Sequence, residues 1–385
     1  MVWTVPDELE DVVHAATRAA LGEAPLATAA LIKAVIDRSR RYTSERDRPA
    51  ADLTGDLAAR AMFFTIADAM KIAIPLGELA HRGALPAARP LRIIDLGAGC
   101  GAMSLGALTA LTAFTEHTGF TELRAGGGPQ VDILAIDRDG LALAIARTAL
   151  RELAARRGVA ATITTRDDDV HHAKLPAADL VVIGTLLNEL PAGARIELTL
   201  RALTAIGDDG AVIIIEPALR DTTRALHELR DTILRGGRGH VFAPCTRTLA
   251  PCPALADPRD WCHEDRPLRL PPRTAELARL THLRDSGMKF SYLVLRRQPL
   301  ALVPAASAWR VVSAPMPAKG KLEVIGCSAA GRLPLRLLRR HRATANRSFD
   351  TADRGDVLVT DAAPDDDRIE ITGETRVERI TPAKP

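Results

Sequence analysis

The sequence has little net charge and no long apolar run, and each shortage excludes a class of protein. The 385 residues carry a formal net charge of only +3, which is too small to indicate a polyanionic partner by itself. A membrane-spanning helix needs about 20 apolar residues, and the most apolar long stretch, 61–79, is interrupted by Asp68 and Lys71. The first ten residues include three acids and resemble neither a secretory signal nor an Arg-rich transit peptide. We therefore expect a cytoplasmic protein without a membrane segment.

Lysine is scarce, since seven lysines stand beside 44 arginines. Arginine is well suited to bidentate phosphate contacts, but GC-rich coding DNA explains this alanine- and arginine-rich composition more simply. Local clustering of arginine is therefore more informative than its total. The chain is 47% hydrophobic and 26% charged, which is typical of a soluble protein with a sizeable core. Its length allows two or three domains, and no internal repeat is evident.

The strongest local signal is the stretch 93–104. An apolar, β-branched run ends at Asp95, glycines follow at positions 97, 99 and 101, and an Ala- and Leu-rich pattern begins. This order predicts a strand, a tight turn and a helix, with a glycine backbone that a ligand can approach. The pattern D-x-G-x-G-x-G resembles motif I of class I S-adenosylmethionine (SAM) methyltransferases. The resemblance implies that Asp95, Gly97, Gly99 and Gly101 bind the cofactor; an ordinary glycine turn is the alternative.

Acidic residues follow the next two predicted strands. The second strand ends at Asp137, where a carboxylate could accept both ribose hydroxyls of a nucleoside. A cap for the following helix is the other role open to Asp137, and Asp139 lies close by. The third strand leads to Asp167 and Asp168, either of which could face an adenine amino group. Because three acids are adjacent here, simple solvation explains them equally well.

Three regions differ in their pattern. Alternating strands and helices over 86–298 predict an α/β domain with a doubly wound sheet, whose ligands lie at the carboxyl ends of the strands. Residues 1–85 have helical periodicity, and the short β-like runs of 299–385 predict a small β domain resembling an OB fold. A cysteine-bearing insertion, 243–270, precedes the last strand of the sheet. We interpret one stripe of the helical region as core: Met62, Phe63, Phe64 and Met70.

Three of the five cysteines, Cys245, Cys252 and Cys262, fall within 18 residues. A disulfide is not expected in a cytosolic protein. The C-x2–4-C spacing of most zinc sites is absent, although His240 and His263 could complete a zinc site. Four thiolates also suit an iron–sulfur cluster. The spacing predicts a metal site without choosing the metal.

The cysteine block also carries a family resemblance. Motif I is joined by a Pro-Cys pair, a Cys-Pro pair, Asp-Trp-Cys-His at 260–263 and Lys-Phe-Ser-Tyr-Leu at 289–293. Over about 55–360 the chain resembles the ribosomal small-subunit methyltransferase-like family of mitochondria and bacteria. The resemblance implies a class I SAM-methyltransferase fold, association with the small ribosomal subunit and its RNA, and a four-iron four-sulfur cluster. By the same resemblance, the cluster ligands are Cys245, Cys252, Cys262 and Cys327.

Residues for methyl transfer itself are weakly marked. The stretch 184–190 lacks both the [DN]-P-P-[YF] run of amino-methylating enzymes and the cysteine of carbon-methylating RNA enzymes. Asn188 and Glu189 could orient a nucleophile, although a helix start explains them equally. Two hypotheses therefore stay open: an rRNA methyltransferase, and a non-catalytic assembly factor for the small subunit. A small-molecule methyltransferase is a weaker third.

An arginine-rich run lies in the C-terminal region. Residues 324–349 contain no carboxylate. Arginine neutralises phosphates and releases counterions, so the run predicts an RNA-binding surface; a solvated face of an arginine-rich chain is the alternative. The six arginines are Arg332, Arg336, Arg339, Arg340, Arg342 and Arg347.

Overall fold

The structure is a computed structural model that describes residues 2–43, 50–88, 90–117, 130–248, 251–284, 287–303, 307–365 and 367–380. The glycine run at 126–128 lies outside these residues. The main helices are α1 Asp7–Leu21, α2 Thr28–Thr43, α3 Leu53–Ala59, α4 Ala73–His81, α5 Ala102–His117, α6 Gly140–Arg156, α7 Ala192–Ala205, α8 Arg220–Arg235 and α9 Pro272–Thr281. None of the described helices is long and apolar enough to cross a membrane.

The strands form two large sheets and one small pair. The strands are β1 Trp3–Thr4, β2 Leu91–Leu96, β3 Gln130–Asp137, β4 Ala160–Asp167, β5 Ala178–Gly184, β6 Ile206–Pro217, β7 His240–Ala243, β8 Glu264–Arg266, β9 Leu268–Arg269, β10 Met288–Arg296, β11 Ala308–Val311, β12 Met316–Ala318, β13 Lys321–Ser328, β14 Gly331–Leu338, β15 Val357–Thr360, β16 Ile369–Ile371 and β17 Val377–Ile380. β1 pairs with β9 and so ties the N-terminus to the segment before α9.

The first large sheet has the order β4-β3-β2-β5-β6-β10-β7, with β8 added beside β10. The pairs among β2 to β6 are parallel, whereas β10 runs antiparallel to both β6 and β7. Strand order reverses beside β2, which creates a crevice at the carboxyl ends of β2 and β5. The predicted fold class, an α/β doubly wound sheet of the class I SAM-methyltransferase type, is confirmed.

Each face of this sheet is buried against helices. Ile93 and Ile94 are neighbours on β2, and they belong to two different hydrophobic clusters because strand side chains alternate between faces. The Ile93 cluster also contains Leu9 of α1 and Val357 of β15. Since one cluster unites all three predicted regions, the proposed domain boundaries mark changes of secondary structure, and division into separate domains stays a prediction.

The long periodic stretch 57–82 is not one regular helix. A π-helical segment, Arg60–Thr65, follows α3, and a 3-10 segment, Ala69–Ile72, precedes α4. Pro75 explains the second irregularity, because it has no N–H to donate and its ring crowds the carbonyl four residues earlier. π-helical turns change which side chains share a face, with consequences for the site described below.

The C-terminal sheet has the order β16-β14-β13-β11-β15-β17, with β12 paired to β13. Its own core includes Trp309, Val324 and Phe349. These seven strands exceed the five of an OB fold, and the OB-like assignment stays a prediction. The six arginines of the arginine-rich run lie on β14 and in the segment of 3-10 turns after it.

Candidate functional site

A cleft of about 530 Å³ opens at the carboxyl ends of β2, β3 and β5. This volume lies within the range of about 300–1,000 Å³ that is usual for small-molecule sites. The predicted strand, turn and helix are present, and residues 97–100 of the turn line the cleft. The cleft therefore occupies the crevice that the reversal of strand order creates.

The three glycines of the turn have different roles. All have positive φ: 70° at Gly97, 51° at Gly99 and 86° at Gly101. A Cβ at Gly101 would stand 3.0 Å from the Cβ of Ala146, so this glycine allows α6 to pack closely and does not line the cleft. A Cβ at Gly99 would meet nothing within 4 Å. The open space over Gly99 is where a ligand can lie against bare backbone.

The side chain of Asp95 stabilises the glycine turn. Its Oδ2 accepts hydrogen bonds from Ser104 Oγ at 2.6 Å and from Ser104 N at 3.2 Å, which fixes the first turn of α5. The carboxyl is 1% exposed, and burial raises its pKa to about 6. Asp95 also lines the cleft, so a structural role accompanies the predicted contact with the cofactor.

The two roles that the sequence left open for Asp137 are divided between two residues. Asp139 caps α6, because its Oδ1 accepts from Ala142 N at 3.0 Å. Asp137 lines the cleft, and its Oδ2 accepts from Gly99 N at 2.8 Å. Its Oδ1 accepts from Asp139 N at 2.9 Å. Each carboxylate oxygen keeps a further lone pair, which leaves Asp137 able to accept ribose hydroxyls.

The acids after β4 do not all face the cleft. Asp167 is exposed, pairs with Asp137 in the strand register and lies outside the cleft lining, with its carboxylate over Gly140 at the start of α6. Asp168 and Asp169 line the cleft. Of the two candidates for an adenine contact, Asp168 lines the cleft and Asp167 does not.

Asn188 is held by the protein at both ends of its amide. Its Nδ2 donates to Glu216 Oε2 at 2.9 Å, and its Oδ1 accepts from Tyr42 Oη at 2.9 Å. Glu216 also accepts from Leu187 N at 2.9 Å, and burial raises its pKa to about 7. These bonds engage the groups with which Asn188 would orient a nucleophile. Glu189, the other weak candidate, lines the cleft.

Sequence reasoning missed Tyr42 and Glu216. Glu216 lies at the carboxyl end of β6, as Asp95 and Asp137 lie at the carboxyl ends of their strands. An acid in that position was the sequence signal that could have identified Glu216 as a site residue. Tyr42 ends a helix far away in sequence and carried no such signal.

Helices before the sheet form the opposite wall of the cleft. Arg38 and Tyr42 come from α2, and Arg60 and Phe64 from the π-helical segment. Phe64 is half-buried and lies 5.8 Å below the Arg38 guanidinium, whereas Met62, Phe63 and Met70 are buried as predicted. Phe64 packs partly against the same core cluster as Met62 and Phe63 and also lines the cleft, so the interpretation of this residue as core holds only in part.

A second, buried cavity brings four cysteines together. Cys245, Cys252, Cys262 and Cys327 all line it, and Cys100 instead lines the cleft. The cavity encloses about 40 Å³, far below the size of an organic-ligand pocket. His263 lines it, whereas His240 lies on β7 outside the lining. Within the described ranges, no group of three or more His, Cys, Asp and Glu side chains is arranged to hold a metal ion.

Burial governs the protonation of these cysteines. It raises the pKa of the Cys252 thiol to about 11 and that of Cys327 to about 12, and it raises the pKa of Cys262 well above its usual value. Charge repulsion between neighbouring thiolates adds to each shift. The free chain therefore holds thiols that must lose protons before they can ligate a metal.

Three of the six arginines of the predicted RNA-binding surface form ion pairs with acidic side chains. Arg332 pairs with Asp260, Arg336 with Glu370 and Arg342 with Asp350. The carboxylates come from other segments; Glu370, for example, lies opposite Arg336 across the β14–β16 pair. Arg332 lines the cysteine cavity. The other three are exposed: Arg339, Arg340 and Arg347.

Comparisons with known proteins place this chain in a family. Curated proteins give no match. Similar solved structures include a magnesium protoporphyrin IX methyltransferase from Synechocystis PCC 6803 with bound SAM, at 13% identity and a TM-score of 0.36, covering 69% of this chain and 97% of that chain. Another is the plantazolicin methyltransferase BpumL with S-adenosylhomocysteine, at 12% identity and a TM-score of 0.35, covering 70% and 96%. The family described as mitochondrial small ribosomal subunit Rsm22 matches residues 69–358, most of the chain. The chain therefore belongs to the Rsm22 family, as its resemblance implied.

Proposed function

We propose that this protein binds SAM in the cleft and methylates RNA of the small ribosomal subunit during ribosome assembly, in the cytoplasm. The observation that carries the proposal is the bare backbone at Gly99 beside the carboxylate of Asp137. Asp137 would hold the ribose, Asp168 the adenine amino group, and Asp95 and the backbone of Gly97 the methionine part. The five free cysteines fit a reducing compartment such as the cytoplasm.

The ribosomal part of the proposal rests on the family description, which names the small ribosomal subunit. It is supported by the exposed arginines that follow β14. These arginines follow the end of β14, and Arg332 near the start of the same strand lines the cysteine cavity, so RNA bound at the strand's end would lie on the C-terminal sheet.

Charge reversal tests the RNA-binding surface. The double variant Arg339→Glu/Arg340→Glu is expected to bind small-subunit RNA at least about 10-fold more weakly, and to reduce the slope of log K against log salt by about 2. Filter binding across a salt series measures both. The matched control is Arg147→Glu/Arg156→Glu on α6, which makes the same charge change at two exposed positions. Equal losses in the two variants would reject a specific surface and leave only the effect of net charge.

We further propose that Cys245, Cys252, Cys262 and Cys327 hold a four-iron four-sulfur cluster, with zinc as the alternative. Three ligands come from the loop after β7 and the fourth from β13, yet all four line one small cavity. A set of four thiolates is the donor set that such clusters use. When bound, the cluster would link the loop to the C-terminal sheet and could carry one electron.

A non-catalytic assembly factor is the second candidate function. The observation that favours it is the double engagement of Asn188 by Tyr42 and Glu216. In this arrangement the protein already engages one amide N–H and one oxygen lone pair of Asn188, which holds the amide on Glu216 and Tyr42 and leaves only the other N–H and lone pair for an acceptor amine. The protein would then use the fold, and SAM, to bind rather than to react.

Labelled methyl transfer separates the two candidates. With SAM and small-subunit RNA, the wild type is expected to incorporate label, and Asp95→Ala at least about 100-fold less, because it removes the brace on Ser104. Asp221→Ala, at an 86% exposed side chain on α8, is the control. Wild-type protein that binds SAM but transfers no label would contradict the methyltransferase and favour the assembly factor.

A further inference from the structure

We infer that one face of α8 holds the cysteine loop around the cavity that the four cysteines line, before any metal arrives. The inference deepens the proposed cluster site, on which its functional meaning rests. Three neighbouring side chains of α8 each contact a different cysteine of the loop: Arg230 contacts Cys245, Asp231 contacts Cys252 and His227 contacts Cys262.

Asp231 fixes the backbone of Cys252. Its Oδ2 accepts from Cys252 N at 2.7 Å, and its Oδ1 accepts from Arg230 Nη1 at 2.5 Å. Asp231 is 1% exposed, so the bond to Cys252 is shielded from water. A charge-assisted bond to a buried N–H is stronger than a neutral one, and leaving that N–H buried without a partner is unfavourable.

His227 fixes the backbone of Cys262 in the same way. Its Nε2 lies 3.2 Å from Cys262 N and accepts the hydrogen bond. An imidazole nitrogen that accepts is unprotonated, which assigns the neutral ring's proton to Nδ1. The same part of the loop is tied to the sheet, since Ser291 Oγ on β10 donates to Cys262 O at 3.0 Å.

Two arginines on this face hold the rest of the loop. Arg230 lies beside the sulfurs of Cys245 and Cys252, and its Nη2 donates to Arg247 O at 2.7 Å. Arg224 Nη1 donates to three carbonyls between the second and third cysteines: Ala254 at 3.1 Å, Asp257 at 2.8 Å and Asp260 at 2.9 Å.

The spacing on α8 explains why these side chains act together. Arg224, His227 and Asp231 are three and then four residues apart, which places them on one face of a helix. Backbone groups of the loop are therefore satisfied by a rigid helix and do not depend on metal. Small metal domains usually unfold when metal is lost, whereas this loop is expected to keep its shape. His227 and Asp231 are thus positioning residues for the ligand cysteines.

Hydrogen exchange on the metal-free full chain tests the inference directly. The amides of Cys252 and Cys262 are expected to exchange at least about 100-fold more slowly than those of an unstructured chain. His227→Leu, which removes the acceptor, should lose this protection at Cys262 and keep it at Cys252. His227→Gln offers a replacement acceptor and should restore it, while Glu228→Gln, at the exposed neighbouring position, should match the wild type.

Iron release supplies a second readout. After anaerobic reconstitution, His227→Leu should lose iron to a chelator several-fold faster than the wild type, with recovery in His227→Gln. If His227→Leu fails to fold, Arg224→Gln, at a half-buried position, should show the same loss of protection over 254–260. Unprotected Cys252 and Cys262 amides in the metal-free wild type overturn the inference, and so does unchanged protection in folded His227→Leu and folded Arg224→Gln. A protected loop that binds no iron would refute the proposed cluster but would still support the inference that α8 fixes the loop.

Discussion

Replacing Gly97 by arginine is expected to abolish SAM binding in calorimetric titrations of anaerobically prepared protein. Gly97 has a φ of 70°, and a Cβ there would stand 3.0 Å from both Cδ atoms of Leu186. Backbone strain and overpacking together destabilise this turn by about 3 kcal/mol, so the turn is expected to leave the conformation that lines the cleft. The added guanidinium would also repel the positively charged sulfonium of SAM. Unchanged affinity in a folded Gly97→Arg protein would refute the site.

A matched pair of glycines separates loss of the ligand site from backbone strain. Gly99 and Gly158 both have positive φ, 51° and 62°, and a Cβ at either would meet nothing within 4 Å. Gly99 lines the cleft, whereas Gly158 follows α6 outside it. Gly99→Ala is expected to weaken SAM binding about 10-fold, because the methyl enters the ligand's space, and Gly158→Ala to leave it unchanged. Equal affinities would contradict a ligand lying over Gly99.

The doubly wound sheet could be predicted because its signals are local. β2 and β3 are apolar runs that stop at an acid, and buried parallel strands carry such runs wherever they occur. β6 begins before its apolar run at 211–215, because Gly210 and the polar residues before it give no strand pattern. Local pattern therefore indicates the buried parallel strands and leaves their ends uncertain.

The second wall of the cleft could not be predicted, since it depends on helix geometry. Phe64 has the same apolar character as Phe63, and the sequence pattern gave no reason to treat them differently. In the π-helical segment 60–65, Phe63 is buried, whereas Phe64 contacts the Arg38 guanidinium and lines the cleft. Pro75 marked an irregularity in this stretch, but it lies after the residues that line the cleft.

The arginine run shows the limit of counting charges along a chain. Residues 324–349 lack acids, yet Arg336 meets Glu370 because β16 pairs with β14. Register between strands that are distant in sequence decided which arginines stay exposed. Three cysteines could be grouped by their spacing, whereas Cys327 was added by the family resemblance alone, because its place beside the loop is set by the C-terminal sheet.

The C-terminal sheet also meets the cysteine loop through contacts that need no metal. Thr246 Oγ1 donates to Cys327 O at 3.0 Å, and Arg310 Nε donates to Pro244 O at 2.7 Å. The other end of the same guanidinium lies 2.7 Å from Glu78 on α4, in a fully buried ion pair. Removing one partner of such a pair is strongly destabilising. Loss of metal is therefore expected to loosen this junction without separating the sheets.

Serine substitution of any of the four cavity cysteines is expected to remove the metal. The wild type, purified without oxygen, should be brown and contain about four irons per chain. Cys252→Ser and Cys327→Ser should each lose most of the iron and the visible absorbance. Cys100→Ser is the control, because Cys100 is buried, as Cys252 is, but lines the cleft. Iron analysis and absorbance spectra measure the outcome.

The same variants test what the metal does for stability. Metal binding contributes to folding free energy, so Cys327→Ser should lower the thermal midpoint relative to the loaded wild type and to Cys100→Ser. The decrease in the thermal midpoint should not exceed the decrease caused by removing the metal from the wild type, because Thr246 and Arg310 still join the loop to β13 and β11. Stoichiometric zinc without visible absorbance would refute the cluster in favour of the alternative. Full iron content in Cys327→Ser would show that β13 supplies no ligand, and the proposed link between the loop and the C-terminal sheet would then fail.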